Sequence, residues 1–132
     1  MFGHTTQVDF KPQRIAEKAK RGIARSIAHG AAIVRKVAQQ SIVRTKKNVH
    51  SLAGTPVFTH GGTWFRRAIL FDADDTSAVI GPAASRVGDV GAVHEFGETR
   101  GRTRYPKRPT MGPALDNSVK RFAEGFRGSI GE

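Results

Sequence analysis

At 132 residues the chain has the length of one domain with a single modest core. It contains no cysteine, which excludes a disulfide framework, a thiolate zinc site and a cysteine nucleophile. Its formal charge is +11, and +10 of that lies between Lys11 and Lys47, where eleven Lys and Arg face Glu17 alone. Such a field suits nucleic acid, an acidic protein or anionic lipid, and charge does not choose between them.

Residues 1–12 read as an N-terminal arm lacking the charged and apolar regions of a signal peptide. No apolar run approaches the ~18 residues that span a membrane, so the expectation is a protein made in a reducing cytoplasm with no membrane partner. Residues 13–48 read as a long helix. Ile15, Ala16, Ala19, Ile23, Ile27, Ala31, Val34, Val37, Ala38 and Ile42 share one broad arc. Arg14, Lys18, Arg21, Arg25, His29, Lys36 and Lys47 gather opposite it. Lys20, Val43 and Arg44 break the pattern, which predicts a drift or bend in the second half. At 1.5 Å per residue the helix would be ~54 Å long, too long to lie wholly under one small sheet. It is expected to project, to pack on a neighbouring copy, or to break near Gly30.

Residues 49–63, rich in Gly and small polar side chains, read as a loop. Trp64 to Phe71 reads as a strand, Asp72-Ala73-Asp74-Asp75 as a hairpin turn, and Ser77 to Gly81 as the returning strand. Pro82 to Asp89 is a connection and Val90 to Phe96 a third strand. A basic loop covers 97–110. A last helix runs from Pro113 to Phe126, with Leu115, Val119, Phe122, Ala123 and Phe126 facing inward and Asp116 in its first turn. The fold class is therefore α+β: a long N-terminal helix, a small antiparallel sheet of three to four strands, and a C-terminal helix. Residues 13–127 form the single domain and 128–132 a tail.

Enzyme chemistry finds little support. His4, His29, His50, His60 and His94 show no metal-ligand spacing, and His94 stands next to Glu95 rather than one turn away from a second His. There is no GxSxG elbow, GxGxxG or P-loop, and Asp72, Asp74 and Asp75 fit the turn they occupy. No cofactor is expected. A hydrolase or metal enzyme built on His94 and Glu95 ranks third. A non-sequence-specific nucleic-acid-binding protein ranks second, because the basic face lacks Asn, Gln and aromatic readers. Pro106-Lys107-Arg108-Pro109 reads as a stiff lead into the last helix.

Two stretches carry a resemblance. The first is Thr55-Pro56-Val57-Phe58-Thr59, then Gly61-Gly62-Thr63-Trp64-Phe65-Arg66-Arg67-Ala68-Ile69. The second is Ala92, Glu95, Phe96 and Gly97, followed by Arg108-Pro109-Thr110-Met111-Gly112-Pro113-Ala114. In order and spacing they resemble the neck, or head–tail joining (tail completion), proteins of tailed bacteriophages. The departures are Phe58 where that family usually has Asp, His60 before the glycine, and Thr110 where it usually has Phe. The resemblance implies a structural virion protein, a ring at the head–tail junction that helps complete the DNA channel; tail terminators, which cap the tail tube, are the neighbouring role. Expected partners are other copies of the chain, as hexamer or dodecamer, a portal, adaptor or head-closure protein, a tail terminator or tail tube protein, and channel DNA. On this reading Arg100, Arg102, Arg104, Lys107 and Arg108 dock on an adjacent subunit or ring, and Glu95 orients their loop. The helix face of Arg14, Lys18, Arg21, Arg25 and Lys36 meets an acidic partner or DNA.

Overall fold

The computed structural model describes residues 11–46, 48–60 and 64–127; the predicted arm (1–10 of it), Lys47, the Gly61-Gly62-Thr63 step and the tail lie outside them. Helix α1 runs Pro12–Ser41, with Pro12 in the first turn where its missing N–H is not needed. It ends seven residues before the predicted limit. Ser41 Oγ donates to Ala38 O at 2.7 Å, and the β-branched pair Ile42-Val43 turns extended. Thr59 N donates to Val43 O at 2.9 Å and Thr45 N to Thr59 O at 2.8 Å, a parallel bridge that ties the start of the loop to its end.

Trp64–Arg67 forms one helical turn, α2, where a strand was predicted. That turn puts Phe65 in the core and leaves Trp64 outside. It is fixed from α1: Arg66 Nε donates to Gln39 O at 2.9 Å while Gln39 Nε2 donates to Arg66 O at 3.0 Å. Strand β1 (Ile69–Ala73) then pairs antiparallel with β2 (Ala78–Pro82), Ile69 opposite Pro82 and Ala73 opposite Ala78. The turn lies at 74–77, two residues later than predicted, because Asp72 and Ala73 still pair in β1. Asp74 Oδ1 accepts from the N–H groups of Thr76 and Ser77, both at 2.8 Å, and these bonds hold its carboxyl below the usual range.

Ala84–Val87 is a short helix, α3, inside the predicted connection. Val90–Phe96 is also a helix, α4, not a strand. An apolar run this short does not declare its period. Gly91 decides the packing, since a Cβ there would come within 2.7 Å of the Pro82 ring. The basic loop is itself a hairpin of β3 (Glu98–Arg100) and β4 (Thr103–Tyr105). The sheet expected to be continuous is therefore two separate two-stranded sheets. Helix α5 spans Met111–Glu124, beginning two residues before Pro113.

Helix α1 is the spine, packing on α5, β1 and β2. Val34, Ala38 and Ile42 meet Phe65, Ala68, Ile69, Val87 and Ala114 in one cluster. The helix does not break at Gly30. Gly22, Ser26 and Gly30 repeat every four residues and are buried, so α5 approaches closely along that row. Ser26 Oγ donates to Gly125 O at 2.9 Å. On α5 the inward stripe is Ala114 and Ser118, flanked by half-buried Met111 and Phe122. Leu115, Val119 and Ala123, predicted to face inward, are exposed, because small residues rather than bulky ones suit the close approach. Residues 12–18 of α1 are exposed all round, Ile15 included, so the first two turns extend past the contact with α5.

A methyl group at Gly30 would overlap Cδ2 and Cε2 of Phe122. Gly30→Ala gains about 1 kcal/mol of helix propensity but overpacks this contact at a cost of roughly 1–3 kcal/mol. Urea unfolding is expected to show a net loss of about 1 kcal/mol in the native chain and a gain in a Phe122→Ala background, where only the propensity term remains.

Candidate functional site

The residues predicted to form one docking loop separate into two groups. Arg100, Arg102 and Arg104 belong to the exposed β3–β4 hairpin, whose turn is made by Gly101 at φ +61°, a left-handed conformation. Cross-strand pairing puts Glu98, Arg100, Thr103 and Tyr105 on one face and Thr99 and Arg104 on the other. Arg100 is committed within the chain. Its Nε donates to Glu98 Oε2 at 2.6 Å and its NH2 to Asp89 Oδ2, and these bonds, to Asp89 foremost, raise its already high pKa. The fork pins the hairpin to the residue that precedes α4. Arg102, Arg104 and Lys107 form no salt bridge among the described residues, so their charges stand open to solvent. Phe96 (70 % exposed) and Tyr105 (43 %) add two exposed aromatic rings at the base of the hairpin.

Arg108 belongs elsewhere. Its N–H donates to His94 O at 2.6 Å and its Nε to Ser51 O at 3.1 Å, which makes it a brace between α4 and the loop after α1. Gly54 N donating to Lys107 O at 2.7 Å is the second brace.

Glu95 is internal in function as well as position. Its Oε2 accepts from Thr110 N at 2.8 Å and Met111 N at 3.0 Å, and its Oε1 from Gly112 N at 2.8 Å. These are N–H groups at the start of α5 that have no partner within the helix. A carboxylate there satisfies them and opposes the positive end of the helix dipole. Thr110, at the N-cap position, makes no side-chain cap bond, and its buried Oγ1 lacks a partner. Glu95 therefore sets where α5 begins and closes 96–109 into a loop with fixed ends.

On α1, Arg14, Lys18, Arg21, Arg25 and Lys36 are all exposed, and at 100° per residue they fall within an arc of about 60°. Because the helix is unbroken, they make one straight basic stripe. Lys20 lies beside it and pairs with Asp75 of the β1–β2 turn at 3.4 Å. A hollow of about 450 Å³ lies between them, lined by Lys20, Arg21, Ala24, Arg25 and Asp75.

Sequence reasoning missed a third cluster. His50, Ser51, Val57, Phe58 and His60 of the loop, His94 of α4 and Arg108 line a cavity of about 260 Å³. No local spacing announces it, since its members are brought together from three separate segments. His94 is half-buried with its ring edge-on to Phe65 at 5.8 Å. Burial, and after it the Arg108 charge, lowers its pKa. No group of three or more His, Asp or Glu among the described residues is placed to hold a metal ion, and no helix among them is long and apolar enough to cross a membrane. No family model, curated protein or solved structure matches the chain.

Two outcomes are expected. Glu95→Gln sets an amide NH2 against backbone donors and should cost about 2 kcal/mol in urea unfolding, with Glu95→Ala costing at least as much. For His94, the folded-state pKa lies below the ordinary histidine value of 6.5, so its stabilising contribution is whole above that value and is lost as pH falls through the folded pKa. The melting temperature should therefore drop more between about pH 7.5 and pH 5 in the native chain than in His94→Gln.

Proposed function

We propose that the chain is a non-enzymatic structural subunit of a ring at the head–tail junction of a tailed bacteriophage, where it joins the head connector to the tail. The observation that carries the reading is the β3–β4 hairpin. It is a projection held by the Arg100 fork, and its outer charges, Arg102, Arg104 and Lys107, form no salt bridge among the described residues. Exposed Arg beside exposed aromatics is the composition of a protein-docking surface. Arg100, by contrast, is engaged by Glu98 and Asp89, and Arg108 braces α4 against the loop after α1, so the open charges of the hairpin itself are Arg102, Arg104 and Lys107.

In a ring each subunit needs one surface for its neighbour and another for the layer above or below. The hairpin serves the first need, with carboxylates of the adjoining copy or ring as its partners. The α1 stripe serves the second, against an acidic connector or tail protein or the DNA in the channel. The tail-terminator role uses the same two surfaces on the tail tube.

One observation favours a second reading. The straight stripe of Arg14, Lys18, Arg21, Arg25 and Lys36 suits a run of phosphates, and a small basic protein that binds duplex DNA without sequence preference would present its charge that way.

The test is a chain bearing Arg102→Glu, Arg104→Glu and Lys107→Glu, which leaves the Arg100 fork and the Arg108 braces in place. It should fold with an unchanged melting temperature and fail to complement a phage lacking the protein, with heads and tails accumulating unjoined and infectious particles down at least about tenfold. Normal particle yield from this variant would refute the docking role of the hairpin. Loss of joining only when the α1 stripe is reversed would move the function to the helix.

A further inference from the structure

The His50, His60, His94 and Arg108 cavity carries an inference of its own. Its chemistry points to an anion. All of the described ionisable residues lining it are basic, no carboxylate among the described residues lines it, and the nearest acid in sequence, Glu95, accepts three N–H groups at the start of α5. A cation is disfavoured by the fixed guanidinium and by the absence of a three-ligand metal arrangement among the described residues.

Arg108 supplies the free donors, and the histidines frame them. Arg108 uses Nε on Ser51 O, and its two terminal nitrogens form no hydrogen bond among the described residues. Those are the atoms that grip a carboxylate in a two-pronged contact. His60 Nδ1 lies 3.0 Å from Lys46 O and 3.3 Å from Thr45 Oγ1, which fixes the ring orientation. The His50 ring meets it edge-on at 5.4 Å. Ser51, only 5 % exposed, keeps a hydroxyl without a partner in the wall of the same cavity. Val57 and Phe58 add an apolar lining suited to a methylene stem.

We infer that this cavity is a binding site for the carboxylate of a Glu or Asp side chain presented by a partner protein, with Arg108 as its anchor and Val57 and Phe58 covering the stem. The one guanidinium at the site, with both terminal nitrogens free of hydrogen bonds among the described residues, matches the two oxygens of a single carboxylate. The site does not depend on the ring reading, because it takes the carboxylate whichever assembly supplies it.

The full chain, isotopically labelled at histidine, is titrated at constant ionic strength with acetyl-Gly-Glu-Gly-amide, with the matching Gln peptide, and with inorganic phosphate. The His50, His60 and His94 ring signals should shift saturably with the Glu peptide alone, at roughly millimolar concentrations fitting one contact point. The His94 titration should move to higher pH when the peptide is bound, since the bound carboxylate offsets the Arg108 charge that, after burial, lowers it; His50, His60 and Arg108 are the other charged or titratable groups facing the site. Arg108→Lys should abolish saturation, His60→Gln should weaken it where Arg108 variants fail to fold, and Arg121→Gln on the outside of α5 should leave it intact. Saturation by phosphate in place of the Glu peptide would overturn the carboxylate assignment. Absence of saturable shifts, or equal loss in Arg121→Gln, would overturn the site.

Discussion

The contact on which the molecule depends is the Glu95 carboxylate against the first N–H groups of α5. Helix starts leave donors that must find partners, and here a side chain from another helix supplies them. One interaction thereby fixes two things. It sets the register at which α5 enters its packing with α1, and it brings the ends of 96–109 to within a side chain's length of each other. The hairpin between those ends is closed rather than dangling, and the Arg100 fork to Glu98 and Asp89 limits its swing. A basic excursion that would otherwise be an unordered surface loop becomes a shaped projection.

Below that contact the fold rests on close approach of α1 and α5. The row of Gly22, Ser26 and Gly30 removes side-chain bulk where the helices meet, and Phe122 lies over the bare backbone at Gly30. Dispersion is lost quickly with a small gap, so small residues on one helix are what permit a firm seam with few large side chains. The bulky residues are used one layer away, where Ile42, Phe65 and Ile69 close the core beneath β1 and β2. Leu115 and Val119 are left outside on α5 as a consequence, adding apolar area to a helix face whose charges, Asp116, Lys120, Arg121 and Glu124, balance.

The long helix, the β1–β2 hairpin with its Asp turn, the last helix and the α+β class were legible in the sequence, because each has a period or turn chemistry of its own. The two misread strands were not. Trp64–Arg67 and Val90–Phe96 are helices of one and two turns, held by tertiary bonds from Gln39 and by the fit of Gly91 to Pro82. The limit of α1 was overextended because Lys47 continues the basic phase after the backbone has already turned extended at Ile42. In the candidate site, the charges of Arg102, Arg104 and the α1 stripe could be read directly. That Arg100 and Arg108 are braces could not, since their partners Asp89 and Ser51 lie 11 and 57 residues away. The histidine cavity has the same cause: residues far apart in the chain, meeting only in the fold.

A ring subunit needs a projection that stays in shape before its neighbour arrives, and the Glu95 contact and Arg100 fork provide one. The most direct test is the copy number of the chain in purified particles from the producing host, by quantitative mass spectrometry referenced to the portal. A ring at the neck requires a fixed stoichiometry of about six or twelve per particle, given the closed symmetry of such assemblies. Absence from the particles would contradict the neck assignment and leave the α1 stripe, proposed to face a run of phosphates, as the functional surface.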